Sequence, residues 1–502
     1  MVNFREYAGN AHLCHVGKTH DLEPRIGFWT ECTEGTGIIW WKAGHRAEPR
    51  LGDAETPRAP STGMGDDVLP LHPRPTPNPS SNFIARVLNP VHLLQLHTII
   101  NPKKVMNNKH MELIKLNRTH WFALLGLTAL ATPNVRATDG YFDYGYGVQS
   151  KGIGGAGVAF PQDALAPAAN PAGAAFLADQ FDVGLSYLRP DRSATAGGTQ
   201  SSGNSLQNFY IPEIGFKHAV TADWDFDLAV YGNGGMNTDY AGTLPNFGYA
   251  HLGVDLEQLF VAPTLAYKIN ANNAIGLDPI FALQRFKAYG LEGFGVGNNG
   301  YDYSYGGGVR IGYTGKLTDW LTVGATYQSR IFTTDLDKYA GLFAEQGSFD
   351  IPSNFALGLA VKPLKPVTVA LDVERILYSE VNSVGDSGQI LAPLGSNHGP
   401  GFGWRDVTAI KTGVAYDVTQ KLTLRAGYNY STQPIPDSQT FFNVLAPAVV
   451  QQHVTAGVSW RFNQNWEASA FYAHAFEQSV NGPFYGLRMS QGTFGLSVSW
   501  LL

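Results

Sequence analysis

The chain from residue 181 to the end alternates apolar and polar residues with a period of two. In one segment Leu422 and Leu424 alternate with Thr423 and Arg425. Such alternation is typical of strands with one face in an apolar medium and the other in a polar medium. A soluble β-sandwich and a membrane β-barrel would both show it.

The lengths of the connections distinguish these two architectures. The predicted strands span residues 181–195, 208–220, 224–240, 257–270, 273–290, 301–317, 320–332, 347–364, 367–381, 406–419, 422–435, 451–463, 466–480 and 491–502. Every second connection is a tight turn, such as Ala271-Asn272, whereas others are long, such as 382–405. Short turns on one side and long loops on the other are the pattern of outer-membrane barrels. The sequence therefore predicts an all-β fold, a transmembrane antiparallel β-barrel of about fourteen strands.

A compact segment rich in small residues precedes the predicted barrel. Residues 138–180 contain many Gly, Ala and Pro and few charged residues. That composition argues against a regular strand or long helix, and also against a solvated linker. We predict that this segment is a hatch, a plug inside the lumen of a barrel formed by residues 181–502.

Residues 1–110 show no sustained period and carry Pro-rich runs such as Pro70–Pro77. Two interpretations are open, a non-native upstream extension translated from an over-extended gene start and a cytosolic extension. The first is favoured because a signal peptide follows, and we expect this extension to be disordered.

Residues 111–137 have the order of a secretory signal peptide. Lys115 and Arg118 form a basic region, and the apolar run 121–131 has the short length of a signal peptide core. A small residue ends the segment, as cleavage requires. We predict that the mature protein starts at Thr138.

The composition agrees with a barrel and argues against other classes. Charged residues are 15% and aromatic residues 12% of the chain, which suits a barrel with aromatic girdles. A formal net charge of −6 gives no support for nucleic-acid binding. Both cysteines, Cys14 and Cys32, precede the predicted barrel, so the barrel has no disulfide or thiolate metal site. No metal-binding spacing occurs, and neither a metal nor a cofactor is expected.

Several short motifs resemble those of one known family. They are Gly152–Gly157, Asp163-Ala164, Asn170-Pro171-Ala172, Tyr231–Tyr240, Trp404–Thr408 and Gln433–Asp437. Together they resemble the FadL family of outer-membrane long-chain fatty acid and hydrocarbon transporters, and the resemblance extends over nearly all of residues 138–502. It implies passive transport of long-chain fatty acids or similar hydrophobic compounds across the bacterial outer membrane. A monomer surrounded by lipopolysaccharide and outer-membrane lipid is expected.

The triplet Asn170-Pro171-Ala172 is predicted to gate the hatch. Pro171 fixes its own φ and disfavours helix at Asn170. The Asn170 side chain can bond backbone groups in such a turn.

The run Gly232-Asn233-Gly234-Gly235 lies inside the third predicted strand. Glycines within a strand mark a bulge, a kink or a close backbone approach. The family resemblance implies a lateral opening of the barrel wall at this strand, through which apolar cargo would enter the membrane. The alternative is a simple bulge near the rim.

Four charged residues on neighbouring strands are predicted to face the lumen: Asp372, Glu374, Lys411 and Arg425. The favoured interpretation is an ion-pair ladder that ties the strands together, because barrel lumens are usually polar. In the alternative, Lys411 or Arg425 meets the carboxylate head group of a cargo. Other basic residues that could serve instead are Arg285, Lys287, Arg310 and Arg330.

No catalytic constellation is recognisable, and no enzyme activity is expected. The histidines of the predicted barrel are scattered, at positions including His251, His398, His453 and His474. Three alternatives stay open: an alkane or aromatic hydrocarbon channel of the same family, a barrel lipid hydrolase, and a non-specific porin, against which the hatch argues. The sequence does not distinguish a fatty acid cargo from an uncharged hydrocarbon.

Overall fold

The computed structural model describes residues 139–242, 244–245, 247 and 251–502. The expected upstream extension and signal peptide lie outside these residues. Within the described residues, sixteen strands form one antiparallel sheet, of which two short ones, Thr199–Ser202 and Phe332–Thr333, lie outside the main ring. The remaining fourteen strands form a closed barrel because the first pairs with the last. The predicted fold class is confirmed.

The strands of the barrel are numbered here in chain order. They are β1 Gln180–Ala196, β2 Phe209–Ala219, β3 Trp224–Tyr240, β4 Leu252–Asn270, β5 Asn273–Tyr289, β6 Asp302–Thr318, β7 Leu321–Gln328, β8 Asn354–Leu364, β9 Val367–Ile376, β10 Val407–Asp417, β11 Leu422–Ser431, β12 Gln452–Arg461, β13 Trp466–Asn481 and β14 Gly486–Leu501. β1 and β14 pair from Gln180 opposite Leu501 to Thr195 opposite Gly486.

Helical segments are short and lie in the hatch and the long loops. They are Val148–Lys151, Ala166–Ala168, Pro171–Phe176, Glu292–Phe294, Asp337–Tyr339, Ala344–Gly347, Tyr378–Glu380, Asn382–Gly385, Asp437–Gln439 and Phe442–Val444. Among the described residues, none of the helices has the length and apolarity needed to cross a membrane.

Some strand ends differ from the sequence-based prediction. β8 begins at Asn354 rather than at 347, because the preceding residues form a loop in which Gly347 has a φ of 111° and Ile351 bridges Ile331. β4 begins at Leu252 rather than at 257. Local alternation does not report where a strand leaves the barrel wall and continues into a loop.

The barrel wall has an apolar outer face and a more polar inner face. Leu424 on β11 is 45% exposed and points outward, whereas its neighbour Arg425 is 9% exposed and points into the lumen. Outward tryptophans lie beside the short turns: Trp224, Trp320, Trp460, Trp466 and Trp500. An apolar outer surface with aromatic residues at its border is what a bilayer requires of a barrel.

The hatch, residues 139–179, lies in the lumen against glycines of the wall. A Cβ atom at Gly276 would lie 2.3 Å from the carbonyl carbon of Pro171, and one at Gly427 would lie 2.1 Å from that of Ile153. Further wall glycines in similarly close contact with the hatch are Gly215, Gly312, Gly324 and Gly413. The wall can therefore touch the hatch backbone directly, which no residue with a side chain would permit.

A charge placed on the outer face tests the membrane-facing assignment. Leu359 is 42% exposed near the middle of β8, and Leu364 is 65% exposed at its end. We expect Leu359→Arg to lower the free energy of unfolding in lipid vesicles by about 2–4 kcal/mol, and Leu364→Arg by about 1 kcal/mol or less, because the cost falls toward the interface. Denaturant titration measures both, and equal costs for the two variants would contradict the assignment.

Candidate functional site

The glycine-rich run in β3 forms a bulge. Gly232 pairs with Leu259 of β4 and Gly234 pairs with Gln258, so Asn233 is an extra residue without a partner in the ladder. A bulge of this kind bends the strand and increases its twist.

The barrel wall is interrupted at the bulge. β3 pairs with β2 only from Asp225 to Val230, where Val230 is opposite Ile214. The part of β2 before Ile214, residues 209–213, pairs with β1 alone. A gap therefore lies between β2 and the part of β3 that follows Val230.

The hatch takes the place of β2 along this edge of β3. Phe142 forms an antiparallel bridge with Gly234, and the Gly235 amide donates a hydrogen bond of 3.0 Å to the Tyr141 carbonyl. Buried backbone groups need such partners. The hatch thus forms the inner side of the gap.

The end of the gap nearest the loop between β1 and β2 is closed by that loop and an arginine. The Asp239 amide donates to the Gly203 carbonyl, and the Ser205 amide donates to the Asp239 carbonyl, both at 3.0 Å. The Arg192 guanidinium donates to the backbone carbonyl and the side-chain oxygen of Asn237. These contacts join β1 and its loop to β3 above the gap.

A cavity of about 790 Å³ passes through the gap. Its luminal side is lined by residues that include Tyr141, Phe142, Leu188 and Met489. Its outer end is lined by Tyr210, Leu283 and Tyr303, which are 66%, 41% and 50% exposed on the outer face. The cavity therefore connects the lumen with the surface that faces lipid.

The acidic groups that line the cavity have partners. Asp143 pairs with Lys151 at 3.0 Å, and Glu257 pairs with Arg285 at 2.8 Å. Asp255 accepts a hydrogen bond of 2.6 Å from the Tyr301 hydroxyl. Of the two basic lining residues, Arg285 has the Glu257 partner just described.

The second basic lining residue, Arg192, is 2% exposed. In addition to Asn237, its guanidinium donates to the Asn204 side chain and to the Leu206 carbonyl. Neither arginine of the lining is therefore free of partners.

Asn170 fixes the hatch to the wall. It is 1% exposed, and its Nδ2 donates to the Val158 carbonyl at 2.7 Å, the Tyr313 carbonyl at 3.0 Å and Thr314 Oγ1 at 3.0 Å. Its Oδ1 accepts from the Ala172 amide at 3.1 Å. Asn170 has extended backbone angles, as Pro171 favours, and caps the helix Pro171–Phe176.

Lys411 and Arg425 face the lumen as predicted, and both contact the hatch. Lys411 Nζ lies 2.7 Å from Glu374 and 3.1 Å from Asp139 of the hatch. Burial raises the pKa of Asp139, and the Lys411 ammonium opposes that rise.

Arg425 and Asp372 also hold the hatch. Arg425 donates to Gln162 at 2.8 Å and to Gln149 at 2.6 Å. Asp372 accepts from the amides of Gly157 and Val158, at 2.7 and 2.9 Å. Among the described residues, neither Lys411 nor Arg425 belongs to the lining of the cavity. A contact with a cargo carboxylate stays a prediction for both.

The other basic residues considered from the sequence lie in different places. Arg285 lies at the outer mouth of the cavity, and Lys287 lies 3.8 Å from Asp255. Arg310 donates to the Pro167 carbonyl of the hatch. Arg330 pairs with Asp350 of the β7–β8 loop at 2.8 Å.

His453 and His474 lie on the neighbouring strands β12 and β13, and His251 and His398 lie elsewhere, outside the strands. His251 contacts Asp239, His398 lies near Glu345, and His453 is stacked on Tyr144. Across the residues that the structure describes, there is no cluster of His, Cys, Asp and Glu that could hold a metal ion.

The wall glycines are the functional feature that sequence reasoning missed. They stand at luminal positions of strands, and a glycine in an otherwise regular strand signals a close approach by another backbone. That signal is present in the sequence at Gly276, Gly312 and Gly427, but it does not identify the hatch residue that each one contacts.

A closed barrel with a luminal hatch, an apolar outer face and a cavity reaching that face defines an outer-membrane transport protein. The chain belongs to the outer membrane protein transport protein family (OMPP1/FadL/TodX), whose family model matches residues 146–483. It is accordingly an outer-membrane protein of a family that transports hydrophobic compounds.

Solved structures share this fold. A Pseudomonas aeruginosa FadL homologue is 17% identical, with 72% of this chain and 99% of that chain covered and a TM-score of 0.58. The Pseudomonas putida toluene transporter TodX is 21% identical, with 73% and 100% covered and a TM-score of 0.58. The Ralstonia pickettii toluene transporter TbuX is 18% identical, with 72% and 99% covered and a TM-score of 0.53. Among curated proteins no match to this chain was found.

Removal of the Asn170 side chain tests its hold on the hatch. Asn170→Ala removes the buried hydrogen bond to the Val158 carbonyl and leaves that acceptor unsatisfied, at a cost of about 1–3 kcal/mol. We expect faster proteolysis of the hatch and unchanged heat resistance of the barrel in detergent. Asn299→Ala, in an exposed loop, is the matched control. Equal protection of the hatch in both variants would show that Asn170 does not hold it.

Proposed function

We propose that this protein passively transports hydrophobic compounds, either long-chain fatty acids or uncharged hydrocarbons, across the outer membrane and releases them sideways into the membrane. The observation that carries the proposal is the cavity that runs from the lumen through the gap beside β3 to the outer face. An apolar molecule in that cavity can move into lipid without crossing water, which its burial free energy favours.

The charges of the cavity favour an uncharged cargo over a carboxylate. A fatty acid head group would need a cation, and the two lining arginines, Arg192 and Arg285, are already held by hydrogen bonds or an ion pair. Arg192 is 2% exposed, and turning its guanidinium toward another anion would leave its present acceptors at Asn237 and Leu206 without a donor, which is costly. Two structures of similar fold are those of toluene transporters, which agrees with this preference.

The hatch is the proposed gate. Asn170, Pro171 and Ala172 hold its far end against β5 and β6, while Phe142 pairs with β3 at the gap. A movement of the hatch would therefore change the inner side of the gap. No energy source and no chemistry are needed for downhill movement of cargo.

We propose that the barrel functions as a monomer, with lipopolysaccharide and membrane lipid against its apolar outer face. A lipid hydrolase is not favoured, because the cavity lining contributed by the described residues includes no histidine that could act as a base.

The gap itself is tested by a substitution at Gly232. A Cβ at Gly232 would lie 2.9 Å from Ile211 Cγ2 across the gap, whereas one at Gly234 would lie 1.9 Å from the Tyr141 carbonyl of the hatch. A bulky residue at 234 therefore disturbs the hatch, and position 232 is the one that fills the gap. We expect Gly232→Leu to reduce uptake of radiolabelled toluene by cells to near the level without the protein.

The control for this experiment is Gly242→Leu in the following loop, where a Cβ meets no atom within 4 Å. Both variants should fold and resist heat in detergent. Parallel measurement with radiolabelled oleate separates the two cargo classes. Normal uptake of both compounds by Gly232→Leu would contradict release through the gap.

A further inference from the structure

A row of hydrogen-bonded, buried amide side chains, here called the amide chain, runs along the inner face of the wall. It leads from the bulge in β3 to the β7–β8 loop. Asn233 Nδ2 donates to Gln258 Oε1 at 3.0 Å, and Gln258 Nε2 donates to Gln284 Oε1 at 3.1 Å. Gln284 Nε2 then donates to the Phe349 carbonyl at 2.8 Å. Each of these residues is at most 3% exposed.

The strand register produces this chain. Gln258 of β4 is directly opposite Gln284 of β5, and Gln258 is also opposite Gly234, next to the bulged Asn233. The three side chains therefore point to the same face on successive strands, close enough for each amide to reach the next.

The Phe349 carbonyl fixes the orientation of every amide in the chain. A carbonyl can only accept, so Gln284 must direct Nε2 toward it and Oε1 toward Gln258. Gln258 must then donate to Gln284 and accept from Asn233. As a result Asn233 directs its Nδ2 into the chain and its Oδ1 away from it.

The Asn233 end of the amide chain contacts the hatch. The Tyr146 hydroxyl donates to Asn233 Oδ1 at 3.0 Å, and the Asp143 amide donates to the Asn233 carbonyl at 3.0 Å. The hatch therefore recognises Asn233 in the orientation that the distant carbonyl imposes.

The loop end of the chain is itself held in place. Ile331 and Ile351 exchange backbone hydrogen bonds of 2.9 and 3.1 Å, and the Thr333 amide donates to Asp350 at 2.8 Å. The Phe349 ring lies 6.1 Å from the ring of Tyr141 in the hatch. The loop can thus serve as a fixed support for Gln284.

We propose that Gln258 and Gln284 are positioning residues that keep the Asn233 side chain in the lumen and so keep the gap in the wall clear. Asn233 has no partner in the ladder and stands between glycines, so an outward rotation of its side chain would break no ladder hydrogen bond. That rotation would break the hydrogen bond from the Tyr146 hydroxyl. The amide chain opposes that rotation and ties it to the position of the β7–β8 loop. This inference rests on the proposed function, release of cargo through the gap.

A substitution of Gln284 distinguishes a positioning role from direct contact with cargo. Gln258 lines the cavity, whereas Gln284 does not belong to the lining formed by the described residues. Gln284→Met removes the hydrogen bonds to the Phe349 carbonyl, Ser304 and Thr333 and leaves Asn233 and the described cavity lining unsubstituted. If Asn233 were held by Gln258 alone, this substitution would leave transport unchanged.

The experiment measures initial rates of radiolabelled toluene uptake by cells that carry the full-length protein. We expect Gln284→Met and Gln258→Met each to lower the maximal rate several-fold. For Gln284→Met the half-saturating concentration should stay unchanged. The double variant should be no slower than Gln258→Met alone, because both substitutions break the same row of hydrogen bonds.

Two controls accompany these variants. Gln180→Met replaces another buried luminal glutamine, whose Nε2 has no hydrogen-bond partner among the described residues, and it should transport normally. If Gln284→Met does not reach the membrane, Gln284→Asn withdraws the amide from the Phe349 carbonyl while keeping its polarity. Heat resistance in detergent confirms that each barrel is folded.

The proposal is overturned if the folded Gln284 variant transports at the rate of the unmodified protein. It is equally overturned if the losses in the two single variants multiply in the double variant, since that would show independent effects. An absence of uptake by the unmodified protein would instead contradict the proposed function.

Discussion

The structure depends on direct backbone contact between the hatch and the barrel wall. Where β3 loses β2 as its partner, the hatch supplies Phe142 and Tyr141 to the open edge. Elsewhere, glycines such as Gly276 and Gly427 remove the side chains that would keep the two backbones apart. Buried backbone groups without partners are costly, so the gap in the wall and the position of the hatch cannot be considered separately.

This dependence explains why polar groups accumulate around an apolar path. Asn170, Asp372, Lys411 and Arg425 bind the hatch to the wall away from the cavity. The path itself is lined by residues whose charges are already paired. The polar lumen holds the hatch in place, and the apolar cavity is left for cargo. A movement of the hatch would have to break some of these buried contacts.

Much of the barrel could be predicted from the sequence, because alternation follows from one face in lipid and one in the lumen. The same alternation predicts that Lys411 and Arg425 face the lumen. Their partners depend on the path of the hatch, which no local pattern encodes. At the Gly232–Gly235 run the sequence indicates a bulge. It does not indicate that Gly232 faces Ile211 while Gly234 faces the hatch, because the direction of each Cβ is set by the extra residue, Asn233. The amide chain through Gln258 and Gln284 likewise requires the strand register.

A reversible closure of the gap tests the central claim most directly. The paired substitutions Ile211→Cys and Gly232→Cys place two thiols across the gap, in a barrel whose sequence contains no cysteine. The control pair, Ile214→Cys and Val230→Cys, lies where β2 and β3 are already joined. Oxidation of the first pair should abolish uptake of toluene and reduction should restore it, while the control pair transports in both states. Undiminished uptake with the gap covalently closed would contradict lateral release beside β3.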